Sequence, residues 1–350
     1  MKRSSITAMF LLTVLALGCT GGGQKTTTSS GIGLAIVSYS ADYSQLFPGD
    51  ATLITMVIRN NGERTADNIA AQLYRYGDLN IETTEANQAL GNPLQKLDED
   101  QISWRLTAPE ELRVQMTNSY SPAARVCYDY STVVHQDMFI TGSDWRGTPP
   151  ALESGVTTGP FYALLEVNTP IRGARNNQPI KLNVDKIDNG IVADGVGLTV
   201  GSTSKIIEFG QTGYLHSVQI LVPMLDDTCL DSNSNVADCF VIEDEDTATA
   251  NIIESGDFLC DSTSTSGYYT CKLDTNTIET QLSTAAKKES YKEKLRLIGG
   301  DTGLFRLYVN TNNPGGDLQY TARVRAEFDY KFCKDTTMDF PITITVSPST

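Results

Sequence analysis

The sequence predicts an all-β protein made of two tandem β-sandwiches, the second with a disulfide-bearing insertion and one helix. Three observations predict it. Residues 33–141 divide into six or seven short stretches of period-two alternation separated by Gly, Pro and Asn turn signals. A motif of the first half returns in the second: Ala124-Arg125-Val126 followed by Tyr128-Asp129-Tyr130 is echoed by Ala322-Arg323-Val324 followed by Phe328-Asp329-Tyr330. After the N-terminal segment, only residues 277–295 read as a helix.

Residues 1–18 place Lys2 and Arg3 ahead of an apolar run from Ile6 to Leu17, the layout of a secretory signal peptide. The run is shorter than the roughly 20 apolar residues of a spanning helix. Leu15-Ala16-Leu17-Gly18-Cys19 resembles the lipobox of prokaryotic lipoproteins, and Cys-Thr-Gly-Gly-Gly-Gln is similar to the start of archaeal surface lipoproteins. That resemblance implies cleavage before Cys19, lipid on its thiol, and an extracytoplasmic, membrane-anchored protein at the cell surface. One acyl chain binds a membrane only marginally, so stable anchoring implies more than one. Residues 19–31 carry this cysteine and a Gly/Ser/Thr tether, about 20 Å long as a random coil.

The first sandwich is expected over 32–143. Residues 33–39 alternate, Pro48-Gly49-Asp50 turns the chain, and Thr52 to Arg59 alternate again before Asn60-Asn61-Gly62 ends the strand. Further strands are expected near 68–76, at 102–106 with Trp104, at 124–130 and at 137–141. Pro48-Gly49-Asp50-Ala51-Thr52-Leu53, then Val57-Ile58-Arg59-Asn60-Asn61-Gly62, then Ala66-Asp67-Asn68-Ile69 resembles the Ig-like modules of CARDB and archaeal S-layer-associated type. The resemblance implies an Ig-like sandwich and is nearly silent on function. Residues 144–157, rich in Gly, Pro, Ser and Thr, are expected as a linker, and 158–350 as the second sandwich with an insertion at 225–295. The helix expected over 277–295 has a sparse apolar face of Ile278, Leu282, Ala286 and Leu295.

Assigning Cys19 to lipid leaves six cysteines, and in an exported chain these read as disulfides. Spacing favours two local pairs, Cys229 with Cys239 and Cys260 with Cys271, the latter stapling a hairpin. Cys127 and Cys333 are left to pair with each other or to stay free. A formal charge of −15 disfavours nucleic acid as a partner, because phosphate binding needs basic residues.

Chemistry is sparse. The two histidines, His135 and His216, lack a Cys, Asp or second His at ligand spacing, and no metalloprotease, serine-hydrolase or phosphate-loop motif is present. Asp231, Asn233 and Asn235, followed by Asp238 and Glu243, resemble the opening of a calcium loop, where alternate oxygens collect around Ca2+. Val236 stands where that pattern wants Gly, and Ile242 where it wants a bidentate carboxylate. The leading expectation is a non-catalytic, lipid-anchored surface protein with an envelope-structural or adhesion role. Its partner would be an S-layer or other envelope protein, or a polysaccharide. The alternatives are a ligand-capturing surface lipoprotein that uses residues 225–275, and an extracellular hydrolase whose site carries no recognisable motif.

Overall fold

The structure is a computed structural model that describes residues 32–81, 85–111, 118–193, 213–224, 229–230, 236–238, 240–242, 252–261 and 267–345. The first half supplies β1 (Leu34–Ala41), β2 (Ala51–Asn60), β3 (Asp67–Tyr74), β4 (Glu99–Thr107) and β5 (Ala123–Thr141). The second supplies β6 (Phe161–Val167), β7 (Arg175–Lys186), β8 (Ser217–Pro223), β9 (Phe258–Asp261) and β10 (Tyr268–Asp274). Helices α1 (Thr275–Gln281) and α2 (Ala285–Lys294) follow, then β11 (Thr302–Thr311), β12 (Gln319–Thr337) and β13 (Ile342–Ile344).

Two smaller antiparallel sheets, β1-β2-β4 and β6-β7-β11, share one large sheet that runs β9-β10-β8-β12-β5-β3. Its spine is the ribbon of β5 and β12, paired without interruption from Ala123↔Thr337 to Thr141↔Gln319. Side-chain alternation gives this ribbon two different faces. Inward it carries Tyr128, Tyr130, Phe328, Tyr330 and Phe332, all buried. Phe161 of β6 packs on three of them, with ring centroids 6.0 Å from Phe328, 4.7 Å from Tyr330 and 6.2 Å from Phe332. Each such side chain taken out of water contributes about 1.5–3 kcal/mol. At the other end the β1 amide of Leu34 donates to the Tyr128 hydroxyl at 3.0 Å, and Trp104 of β4 donates to the Ala86 carbonyl at 3.2 Å. One apolar core therefore runs under both small sheets.

The turns follow their residues. Gly49 adopts φ +83°, and the amide of Phe47 donates to the Asp50 carboxylate. Asn60 is fully buried; its side-chain amide donates to the carbonyls of Arg64 and Leu94 while its oxygen accepts from the amide of Gly62. A Cβ on Gly62 would sit 1.9 Å from the Tyr130 hydroxyl, so this turn has no room for a side chain.

The structure differs from the expected division in four places. The strands expected at 124–130 and 137–141 are one strand, because residues 131–136 contain no Gly, Pro or Asn to break it. The segment expected as a linker includes Ser154–Val156, which pairs with β5 at Gln136–Val134. Strand β13, inside the expected second sandwich, pairs instead with Gln45–Leu46 and Asn118–Tyr120 of the first half, where Ile342 and Ile344 are completely buried. The single helix expected over 277–295 is two. Leu282 turns extended after α1, and the Thr284 hydroxyl caps α2 by accepting from the amide of Lys287. Ile278, Leu282 and Leu295 face the core as expected, but Ala286 is exposed and Tyr291 takes its place.

Candidate functional site

On its outward face the ribbon pairs Arg125 with Asp335, Cys127 with Cys333, Asp129 with Lys331, Ser131 with Asp329, and Asp137 with Arg323. The two arginines echoed in the sequence thus occupy matched places. Arg125 Nε lies 2.7 Å from Asp335 Oδ1, and Arg323 Nε lies 2.8 Å from Asp137 Oδ1. Because the strands run antiparallel, the two copies of the motif lie at opposite ends of the ribbon in a local two-fold relation and meet only where Tyr130 pairs with Tyr330.

Near the middle of the ribbon a polar groove of about 510 Å³ opens on this face, lined by residues that include Arg64, Asp67, Asn68, Asp129, Ser131, His216, Glu327 and Asp329. Arg64 reaches across from the loop before β3. Its Nε donates to Ser131 Oγ at 3.1 Å, and its Nη2 meets Glu327 Oε1 at 2.9 Å. Arg325 holds the other oxygen of Glu327 at 2.9 Å. Asn68, in a left-handed conformation at φ 49°, donates to Asp129 at 2.7 Å. Ser217 Oγ donates to Asp329 Oδ2 at 2.6 Å. Burial raises the Asp329 carboxyl above its usual range; the Ser217 hydrogen bond works against that, and the nearby Glu327 charge adds to it.

Both hydroxyls are committed to charged partners, Ser131 to Arg64 and Ser217 to Asp329. The arrangement suits recognition of a polar or cationic group by a concave, hydrogen-bonding surface. None of these residues stood out in the sequence as a site. Its one signal was the echoed aromatic–Asp–aromatic pattern, whose alternation sends the carboxylates outward and the rings inward.

The expected site residues are distributed as follows. Cys127 joins Cys333 directly across β5 and β12, with Cα atoms 4.0 Å apart, and Cys260 joins Cys271 across β9 and β10, with Cα atoms 3.9 Å apart. Cys229 lies in a short strand opposite Ala237, and its expected partner Cys239 lies outside the described residues. Cys19 lies outside them too, as do Asp231, Asn233, Asn235 and Glu243 of the expected calcium loop. Asp238 accepts from the Tyr269 hydroxyl at 3.3 Å; burial first, and the Asp238 charge second, push that hydroxyl up to about 12. Among the described residues no group of three or more His, Cys, Asp or Glu is placed to hold a metal ion, and no helix is long and apolar enough to cross a membrane.

No protein-family model and no curated protein matches the chain. Solved structures with some likeness include the sporulation control protein Spo0M of Bacillus subtilis, at 11% identity and TM-score 0.17 over 45% of this chain and 68% of that one. A type II cohesin dyad of the ScaA scaffoldin of Acetivibrio cellulolyticus aligns at 10% identity and TM-score 0.19, over 81% of this chain and 86% of that one. The Enterococcus faecalis adhesin ACE, described as binding its ligands by a collagen hug, aligns at 12% identity and TM-score 0.20, over 91% of this chain and 96% of that one. At these scores the likenesses carry no argument about role.

Proposed function

We propose that this chain is a non-catalytic display protein. It is anchored by lipid on Cys19, lifted off the membrane by residues 20–31, and offers its joined sandwiches to an envelope protein or polysaccharide. The observation that supports this reading best is the buried Cys127–Cys333 disulfide, which ties strands 206 residues apart in sequence. A structural bridge of that kind belongs to an oxidising compartment, in keeping with an export signal ahead of a polar tether. The groove over Ser131 and Asp329 is the concave polar surface such a protein would present.

Two measurements test the reading. Mass spectrometry of the protein purified from its own membranes should find Cys19 as the N-terminal residue with lipid attached, and Cys19→Ser should abolish that species. A chain that keeps residues 1–18, or carries an unmodified Cys19, would overturn the anchor. Immobilised protein should retain a surface protein or polysaccharide from envelope extracts. Asp67→Arg, at an exposed position on the groove rim, should weaken that retention about tenfold, the size of one lost charge contact of about 1.4 kcal/mol. Retention of neither class would overturn the interaction role.

A further inference from the structure

Lys334 and Asp188 form the most enclosed ion pair among the described residues. Nζ lies 2.6 Å from Oδ2, and each side chain is 6% exposed. Lys334 is on β12, one step past Cys333 and on the inward face of the ribbon, whose rings include Phe332 and Tyr128. Asp188 sits in the turn after β7, fixed by its own amide donating to the Pro160 carbonyl at 3.1 Å. The turn lies flat on the core: a Cβ on Gly190 would meet the Phe332 ring at 2.4 Å. The backbone amide of Gly33, the residue before β1, donates to Asp188 Oδ2 at 3.4 Å.

The other lysine–carboxylate contacts differ in a way that matters chemically. Lys331–Asp129, Lys287–Glu254 and Lys186–Asp301 each have a partner 28% exposed or more, so water can hydrate at least one charge. At Lys334 neither group has that outlet. Moving one proton from Nζ to the carboxylate leaves a neutral amine touching a neutral carboxylic acid, and these are the reactants of amide formation. Where reacting groups are held well oriented for attack, proximity raises their effective concentration to about 10⁵ M or more.

We propose that Lys334 and Asp188 are joined by a spontaneous intramolecular amide bond. After the proton transfer, the Nζ lone pair attacks Asp188 Cγ. Negative charge collects on a carboxyl oxygen, where the Gly33 amide supplies a donor. The Cγ–OH bond then breaks, and the hydroxyl leaves as water with a proton from Nζ. One C–N bond forms, one C–O bond breaks and one water is released, with no change of oxidation state and no co-reactant. The bond ties the turn after β7 to the end of β12, fastening the second half of the chain to the ribbon where it enters the first sandwich.

Peptide mapping of the full-length, folded protein after reduction and alkylation tests this. The expected result is a branched species in which the peptide bearing Lys334 is joined to the peptide bearing Asp188, lighter than the two together by one water. The corresponding linear peptides should be depleted, and cleavage after Lys334 by trypsin should be blocked. Lys334→Arg and Asp188→Ala should each abolish the branched species. Linear Lys334 and Asp188 peptides accounting for the whole protein would overturn the proposal. So would a water loss confined to one linear peptide around Asp188-Asn189-Gly190, which marks a succinimide. The map of the unmodified sequence decides the matter even if neither variant folds.

Discussion

The two ends of the β5–β12 ribbon carry the same charge pair in opposite settings. At one end Arg125 is 4% exposed and Asp335 33%, while at the other Arg323 is 48% exposed and Asp137 10%. The first end also holds the Cys127–Cys333 bridge and the enclosed Lys334–Asp188 pair; the second adds a surface contact from Arg323 to Glu153. The echoed motif thus has the same pairing at both ends of the ribbon with different burial of its members. A guanidinium out of water must keep its partner, whereas one in water exchanges it for solvent at little cost. Matching pairs are therefore no guide to matching stability, and the end with the buried arginine is where the halves are fastened.

The largest expected effect comes from breaking that fastening. Replacing Cys127 and Cys333 together with Ala should lower the unfolding free energy by about 5 kcal/mol in the chain-entropy account, because the bridge closes a loop of 206 residues. Replacing Cys260 and Cys271, which close a loop of 11, should cost about 3 kcal/mol. Chemical denaturation of both double variants checks the order; equal losses would mean that the ribbon is not the critical joint. The arginines come next. Arg125→Ala leaves Asp335 without its bidentate partner and should cost about 2 kcal/mol, below the full cost of breaking a buried pair because Asp335 reaches water. Arg323→Ala leaves Asp137, only 10% exposed, with the Glu153 amide as a remaining donor, and by the same reasoning should cost at least as much. A much smaller loss from Arg323→Ala than from Arg125→Ala would show that the burial of the carboxylate left behind does not set the cost.

How much of this could be read in the sequence depends on how local each signal is. The β class, the Gly49 and Asn60-Asn61-Gly62 turns and the Cys260–Cys271 hairpin rest on spacings of a few residues, which period and turn chemistry fix. The echo of Ala124-Arg125-Val126 by Ala322-Arg323-Val324 was visible as well, but its geometric meaning was not. Nothing local says that the strands carrying the two copies pair with each other instead of each closing its own sandwich. For the same reason Ile342–Ile344 reads as part of the second half and lies in the first. The groove was hidden more deeply still. Arg64, Asp129, Glu327 and Asp329 come from three separate segments, and only the register of β5 against β12 brings them together.

The smallest expected effect concerns protons along the outward face, and it contrasts a carboxylate held by an arginine with one held by burial. Arg323 hydrogen bonds keep the Asp137 carboxyl below its usual range, and the donated amide of Glu153 adds to them against the opposing pull of burial. Burial keeps the Asp329 carboxyl above that range. The two therefore act on stability with opposite sign. Asp137 binds protons less readily folded than unfolded, so its contribution is complete above the unfolded pKa and is lost as pH falls through the lower folded value. Asp329 binds protons more readily folded, so its ionised form is a cost that is complete above the raised folded value and disappears as pH falls below the unfolded one. Carbon-13 carboxyl titration by NMR should find Asp329 protonating early on acidification and Asp137 late. Arg323→Gln should bring the Asp137 midpoint up towards an ordinary carboxylate while leaving Asp329 nearly unmoved, since Asp329 depends on its buried position beside Ser217. A reversed order, or a shared response to Arg323→Gln, would mean that the outward face titrates as one coupled network instead of two independent settings.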